Sequence, residues 1–234
     1  MDFKAAVLGS PISHSLSPLI HQTAYEELGI SGTYEAIEVD EANFAQFFAK
    51  AKKENWTGFS LTMPLKEQAY LHADQADDLV KKITSANTLL NVSGKWVALS
   101  TDLLAFKSLL EVDAKSKIKI LGGGGTARAA LGALSGVVPE VEVFIRSKSR
   151  IPALEQAAGK TSIIFKDLSE LDNSGDCIIS TLPKGVLDPF VSKLENGDGT
   201  LFDVIYNPWP TQADRKSTRL NSSHIPLSRM PSSA

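Results

Sequence analysis

Lys66 is a residue whose type and setting suit proton or charge transfer. It closes the run Ser60-Leu-Thr-Met-Pro-Leu-Lys66, in which hydroxyls, a proline and a lysine follow a strand-like stretch. An ammonium can give up a proton or steady a growing negative charge. The plainer reading of Lys66 alone is a surface lysine at a helix start. Asp102, in Ser100-Thr-Asp102, is an acid that can orient such a lysine; alone, it is a favourable dipole partner in a first helical turn. Asn87 lies in Ser85-Ala-Asn-Thr88, just before a strand. Ser15 and Ser17 stand two apart on the loop from Gly9 to His21, which opens a helix. Hydroxyls and free backbone N–H groups there suit a carboxylate, although a cap by Ser17 explains the same residues more simply.

A second cluster suits a nucleotide. The apolar strand Lys117–Leu121 runs into Gly122-Gly123-Gly124-Gly125, followed by a helix from about Thr126 to Leu134. Glycines let a backbone turn tightly and approach a pyrophosphate, and the helix N-terminus offers N–H groups and a favourable dipole end. The spacing is G-x-G-G-x-A, with Ala127 in the last slot, where a small residue permits close helix–strand packing. The loop does not select among nucleotides; flavin and methyl-donor enzymes use similar turns. The next strand, Val141–Ile145, ends in Arg146-Ser147-Lys148-Ser149-Arg150 rather than in an acid. An acid there suits the ribose of NAD, whereas arginines suit the 2′-phosphate of NADP. A solvated basic turn is the ordinary alternative; the position favours NADP.

These residues need elements to hold them. Lys4–Leu8 reads as a buried strand ending at Gly9. Ser17-Pro18 opens a helix, with Ser17 as cap and Gly29 as stop. Thr33–Val39 is expected as a strand, Asn43–Lys53 as a helix with Phe44, Phe47 and Phe48 on one face, and Thr57–Thr62 as a strand. Leu89–Leu99 contains a turn at Asn91-Val-Ser-Gly94. After a helix over Asp102–Leu110, strands at Lys117–Leu121, Val141–Ile145, Thr161–Phe165, Asp176–Ser180 and Thr200–Val204 give a βαβ rhythm. The expected fold is α/β: an N-terminal α/β substrate domain over 1–101, then a doubly wound Rossmann dinucleotide-binding domain over 102–213.

Composition narrows the function classes. Of 234 residues, 43% are hydrophobic and 22% charged, as in ordinary globular proteins, and the net charge of −3 gives no basic excess for nucleic acid or anionic lipid. No apolar run approaches the ~18 residues of a membrane span, and the N-terminus does not read as a signal peptide. Cys177 is the single cysteine and cannot form an internal disulfide, which fits a reducing cytoplasm. His14, His21, His72 and His224 show no metal-ligand spacing, so no metal is expected. From about Asp214 the chain becomes rich in Ser and Arg and loses its periodicity. Residues 214–234 are similar to translated sequencing-adaptor DNA. They are expected to be a non-native, disordered tail with the native C-terminus missing.

Taken in order, the motifs resemble those of the shikimate dehydrogenase family. They are Pro-Ile-x-His-Ser-x-Ser-Pro (Pro11–Pro18), Thr-Met-Pro-x-Lys (Thr62–Lys66), Ala-Asn-Thr (Ala86–Thr88), Thr-Asp (Thr101–Asp102), the glycine loop to Arg128, Ser180-Thr-Leu-Pro-x-Gly185 and Asp203-Val-Ile-Tyr-Asn-Pro208. The resemblance spans about Lys4 to Thr211. It implies an oxidoreductase that interconverts 3-dehydroshikimate and shikimate with NADP, in the cytoplasmic pathway through chorismate to aromatic amino acids. Ser15 and Ser17 would bind the substrate carboxylate. Thr62, Lys66, Asn87 and Asp102 would hold the ring hydroxyls and the reacting oxygen, with Lys66 and Asp102 catalytic. Gly122, Gly124, Gly125, Thr126, Ala127, Arg146, Ser147, Arg150 and Thr181 would bind NADP. The implied partner is a small molecule, with no nucleic acid and no membrane.

The sequence departs from the family pattern at Ser60 and Ser100, where Asn is common, at Ile145-Arg146-Ser147, where Asn-Arg-Thr is common, and at Ala105, where Gly is usual. The family's C-terminal helices, with a substrate-contacting Gln, have no counterpart. The alternatives are an NAD-dependent quinate/shikimate dehydrogenase and, given the missing C-terminus, an inactive nucleotide-binding fragment.

Overall fold

The computed structural model describes residues 3–195, 197–207 and 210–217. They divide into two compact units, one ending at Asp102 and the other beginning at Leu103.

The first unit is built on a mixed sheet. Its strands are β1 (Phe3–Gly9), β2 (Gly32–Glu38), β3 (Gly58–Leu61), β4 (Gln75–Ala76), β5 (Thr88–Val92) and β6 (Lys95–Leu99), in spatial order β2-β1-β3-β5-β6-β4. β1 pairs in parallel with β2 and β3, whereas β5 runs antiparallel to β3 and β6. Two crossover helices follow from the parallel pairs: α1 (Ser17–Leu28) and α2 (Glu41–Ala51). Gly29 ends α1 in the left-handed conformation, as a Cβ-free residue does at lowest cost. Asp40 caps α2 by accepting from the Asn43 N–H. α2 buries Phe44 and Phe48 against Phe59 and Trp96 of the sheet, the main core of this unit. Each such ring contributes roughly 1.5–3 kcal/mol by leaving water. Phe47 is only partly buried and packs at the edge.

Between β3 and β5 lie two short helices, α3 (Lys66–His72) and α4 (Asp78–Ile83). α5 (Thr101–Leu109) leads out of the unit. β5 and β6 form a hairpin that closes through Ser93 and Gly94, both at positive φ, the backbone that a tight two-residue turn requires.

The second unit carries a fully parallel sheet. β7 (Ile118–Leu121), β8 (Glu140–Phe144), β9 (Ser162–Lys166), β10 (Cys177–Ser180) and β11 (Thr200–Asp203) lie in the order β11-β10-β7-β8-β9. Read from β9, this is the 3-2-1-4-5 arrangement of a doubly wound sheet, with its switch point between β7 and β10. Helices α6 (Gly125–Leu134) and α7 (Ile151–Ala158) connect β7 to β8 and β8 to β9. Among the described residues, no helix is long and apolar enough to cross a membrane.

Two expectations need correction. Ser17 is not the cap of α1: Leu16 occupies that position and makes no side-chain cap bond, and Ser17 is the first helical residue. Nor does ordered structure stop at Asp214. α8 (Gln212–Ser217) continues past it, with Ala213 3% and Asp214 6% exposed. Thr211 initiates this turn by accepting the Asp214 N–H on its hydroxyl, and Ala213 joins Leu187 and Val191 in a small core. Residues 218–234 of the expected tail lie outside the described residues.

Candidate active site

Lys66 is the first residue of α3. Leu65 N–H bonds the Thr62 carbonyl, and the Lys66 carbonyl accepts from Ala86 N–H, which fixes the backbone on both sides of the helix start. Lys66 is only 9% exposed. Its Nζ donates to Asp102 Oδ2 at 2.6 Å, with both side chains only about a tenth exposed. At so little exposure, an ammonium needs a counter-charge.

Asn87 completes this arrangement. It is 1% exposed. Its Nδ2 donates to Asp102 Oδ1 at 2.9 Å and to Thr101 Oγ1 at 2.6 Å, while its Oδ1 accepts the Thr101 N–H at 2.8 Å. Both oxygens of Asp102 are thus held, one by an amide and one by an ammonium. The hairpin β5–β6 makes this possible, because Thr88 pairs with Leu99 and so returns the chain beside Asn87. Thr62 stands at the end of β3, with its N–H on the Leu8 carbonyl. Lys66, Asn87 and Asp102 thus form one bonded cluster.

Ser15 and Ser17 sit on the loop after β1, where the Ser15 hydroxyl accepts the Ser17 N–H at 3.3 Å. Near them is a polar chain that sequence reasoning missed. His21 Nδ1 lies 2.9 Å from the Ser17 carbonyl, its ring stacks on Tyr34 at 3.9 Å, and Tyr34 donates its hydroxyl to Ser60 Oγ at 2.6 Å. Nothing local in Thr33–Val39 marked Tyr34 as more than a strand aromatic. Thr101, the other omission, was signalled by its place beside Asp102.

The second unit holds the other predicted residues. Gly122 has φ +115°, and a Cβ there would lie 2.5 Å from Thr181 Oγ1, so glycine is required on both counts. Gly124 caps α6 without any side-chain bond, and a Cβ there would meet nothing within 4 Å. Open backbone at the start of a ten-residue helix fits a pyrophosphate. Gly125 and Thr126 form the first turn, and Ala127, fully buried, seats the helix on the sheet. Thr181 follows β10, across the switch point from Gly122. Arg146, Ser147 and Arg150 are exposed after β8. A Cβ at Gly123 would come within 3.3 Å of Arg150 Cβ, so the basic turn lies against the glycine loop. The Ser147 hydroxyl pairs with that of Ser149 at 2.8 Å. The glycine loop and the basic turn are thus adjacent, and the residues present fit a dinucleotide with a 2′-phosphate.

Burial, with Asp176 adding to it, pushes the Cys177 thiol up to about 11, so it is not a thiolate nucleophile at neutral pH. Among the described residues, no group of three His, Cys, Asp or Glu could hold a metal ion.

A doubly wound sheet with a phosphate-type glycine loop, and a separate unit with a buried Lys–Asp–Asn cluster, define the class as a two-unit, dinucleotide-dependent oxidoreductase. The family model for the shikimate dehydrogenase substrate binding domain matches residues 7–89. The NADP-dependent shikimate dehydrogenase of Staphylococcus epidermidis is 33% identical over 217 residues, 89% of this chain and 80% of that protein. The crystal structure of Mycobacterium tuberculosis shikimate dehydrogenase superposes with a TM-score of 0.81 at 32% identity, covering 94% of this chain and 85% of the other. The Thermus thermophilus enzyme, solved in complex with NADP(H) and shikimate, gives 0.77 at 28% identity over 94% of this chain and 85% of its own. The chain belongs to the shikimate dehydrogenase family.

Proposed function

We propose that this protein interconverts 3-dehydroshikimate and shikimate with NADP, a reading supported by relatives named NADP-dependent shikimate dehydrogenase. The observation that carries this reading is the 2.6 Å bond between Lys66 Nζ and Asp102 Oδ2, with Asn87 on the other carboxylate oxygen. Reduction of a ketone places negative charge on its oxygen, and a desolvated ammonium stabilises that charge far better than water does. Lys66 then passes a proton to the oxygen; in the reverse direction it receives the hydroxyl proton. Asp102 aims Lys66 and, through its second oxygen, is aimed by Asn87. Thr62 and Asn87 offer polar groups to ring hydroxyls, and the Ser15–Ser17 loop suits the carboxylate.

In the second unit, Gly122, Gly124, Gly125, Thr126 and Ala127 shape the pyrophosphate cradle, with Thr181 beside it. Arg146, Ser147 and Arg150, exposed beside the glycine loop, would take the 2′-phosphate. When bound, NADPH supplies the hydride. The location consistent with this reading is the cytoplasm, where the product would feed aromatic amino acid synthesis.

The test is NADPH formation followed by absorbance with shikimate, with quinate as the control. Shikimate-dependent reduction of NADP is expected. Absence of turnover, or a preference for quinate with NAD, removes the proposal.

A further inference from the structure

We propose that Asp203 is a positioning residue that fixes the NADP cradle by tying the loops after β10 and β11 to one another. The inference rests on the NADP reading above. Asp203 is the last residue of β11 and pairs in register with Ser180, the last residue of β10. Its Oδ1 accepts the Ile205 N–H at 3.2 Å, its Oδ2 accepts the Thr211 hydroxyl at 3.2 Å, and Ser180 also bonds it through its side chain. The Val204 N–H on the Ser180 carbonyl, at 3.1 Å, holds the same two strand ends together.

Ser180 leads directly into Thr181. The N–H and the hydroxyl of Thr181 both bond the Leu121 carbonyl at 2.9 Å, immediately before Gly122. Thr181 also occupies the space that a side chain at Gly122 would need. One carboxylate is therefore linked to the chain after β11 on one side. Through Ser180 and Thr181 it is linked to the glycine loop on the other. Ser180, Leu182, Asp203, Ile205 and Thr211 help to line a cavity of about 200 Å³ at these strand ends.

Drawing a carboxyl out of water is unfavourable, and burial pushes Asp203 above its ordinary value, with Asp214 adding to the rise. The bonds from Ile205, Thr211 and Ser180 pull the other way. Three donors, one backbone N–H and two hydroxyls, converge on one acid and aim it; an amide keeps the shape but loses the charge that strengthens such bonds. A cradle built from backbone N–H groups works only if those groups stay aimed, and its support lies in such bonds.

The experiment uses the 234-residue chain with Asp203→Asn and, as a milder change, Thr211→Val. Dissociation constants for NADP and for adenosine 2′-monophosphate are measured by calorimetry, with melting temperature recorded for each variant. The monophosphate carries the 2′-phosphate that the Arg146–Arg150 turn would take and has no 5′-phosphate for the pyrophosphate cradle. Asp203→Asn is expected to weaken NADP about tenfold, the scale of one hydrogen bond to a charged group, with the monophosphate changed less than about twofold. Thr211→Val should weaken NADP in the same sense by a smaller factor, and it carries the test if Asp203→Asn does not fold. Unchanged NADP binding in the folded variants overturns the inference, as does equal weakening of both ligands, which would indicate general loosening. If the unmodified chain binds neither ligand, the NADP reading falls and this inference with it.

Discussion

Asn87 and Asp102 are bonded at 2.9 Å across the base of the β5–β6 hairpin, and the same Asn87 side chain grips Thr101 at both its hydroxyl and its N–H. The carboxylate that faces Lys66 is therefore not a freely rotating group. Its orientation is set by main-chain pairing within the hairpin, and the position of the Lys66 ammonium follows from it.

On the proposed reading, replacing Lys66 by Ala removes the group that would handle charge and proton. Turnover should fall by about 10²–10⁴, the range for loss of a positioned acid–base group. The KM for shikimate should change much less. Steady-state kinetics decides this; near-normal turnover would take Lys66 out of the mechanism.

On the proposed reading, cofactor choice rests on the exposed turn after β8. Arg146→Ala should weaken NADP by roughly tenfold or more, the value of a charge-assisted bond, and leave NAD almost unchanged. Paired binding measurements with the two dinucleotides check it. Equal losses would show that the turn does not read the 2′-phosphate.

Gly122→Ala combines a strained φ with a clash against Thr181. The expected cost is about 1–3 kcal/mol, seen as a lower urea midpoint together with weaker NADP binding. Removing the clashing hydroxyl by Thr181→Ala should not restore stability, since the backbone strain remains. A fully stable Gly122→Ala protein would contradict the geometry.

The Lys119 ammonium, 4% exposed, is bonded by Asp172 and Ser174 and lies 3.6 Å from Glu142. The lysine bond, then that of Ser174, holds the Asp172 carboxyl well below the usual carboxylate range. A depressed acid contributes stability that is present above its unfolded value of 3.8 and is lost as pH falls through the folded one. Asp172→Asn should lower the melting temperature at pH ~7 and flatten the loss of stability below pH ~4. Melting curves at both pH values test this; parallel curves for the two proteins would exclude it.

What could be read from the chain alone was what is local. The strand, four glycines and Ala-rich helix at Ile118–Leu134 form one contiguous signal, and its structure follows the expectation to within a residue. The Phe44/Phe48 face was equally legible from its spacing. The helix over Asp78–Ile83 was not expected, and that over Lys66–His72 was read only as a helix start at Lys66; they are six and seven residues long, too short for a periodic stripe to emerge. The Ser17 cap was misjudged by one position because Pro18 is compatible with either the first or second helical residue. Contacts between distant positions were beyond reach: Tyr34 meets Ser60 across 26 residues, and Asn87 meets Thr101 across 14. The first depends on β2 and β3 both flanking β1, the second on hairpin register. The Asp203 motif was visible as a string, but its bonds to Ser180 and Thr211 exist only once β10 and β11 lie side by side.

The hairpin has one more implication. Its closed end, Ser93-Gly94, lies the length of the β5–β6 ladder away from Asn87, roughly 15 Å at a strand's rise per residue. Both turn residues are exposed, whereas Trp96, two positions on, is buried. The tip is therefore where this unit can take a foreign sequence, such as an epitope, a reporter loop or the new ends of a circular permutant. The ladder between Thr88 and Leu99 insulates the Lys66–Asp102 pair from whatever is attached there.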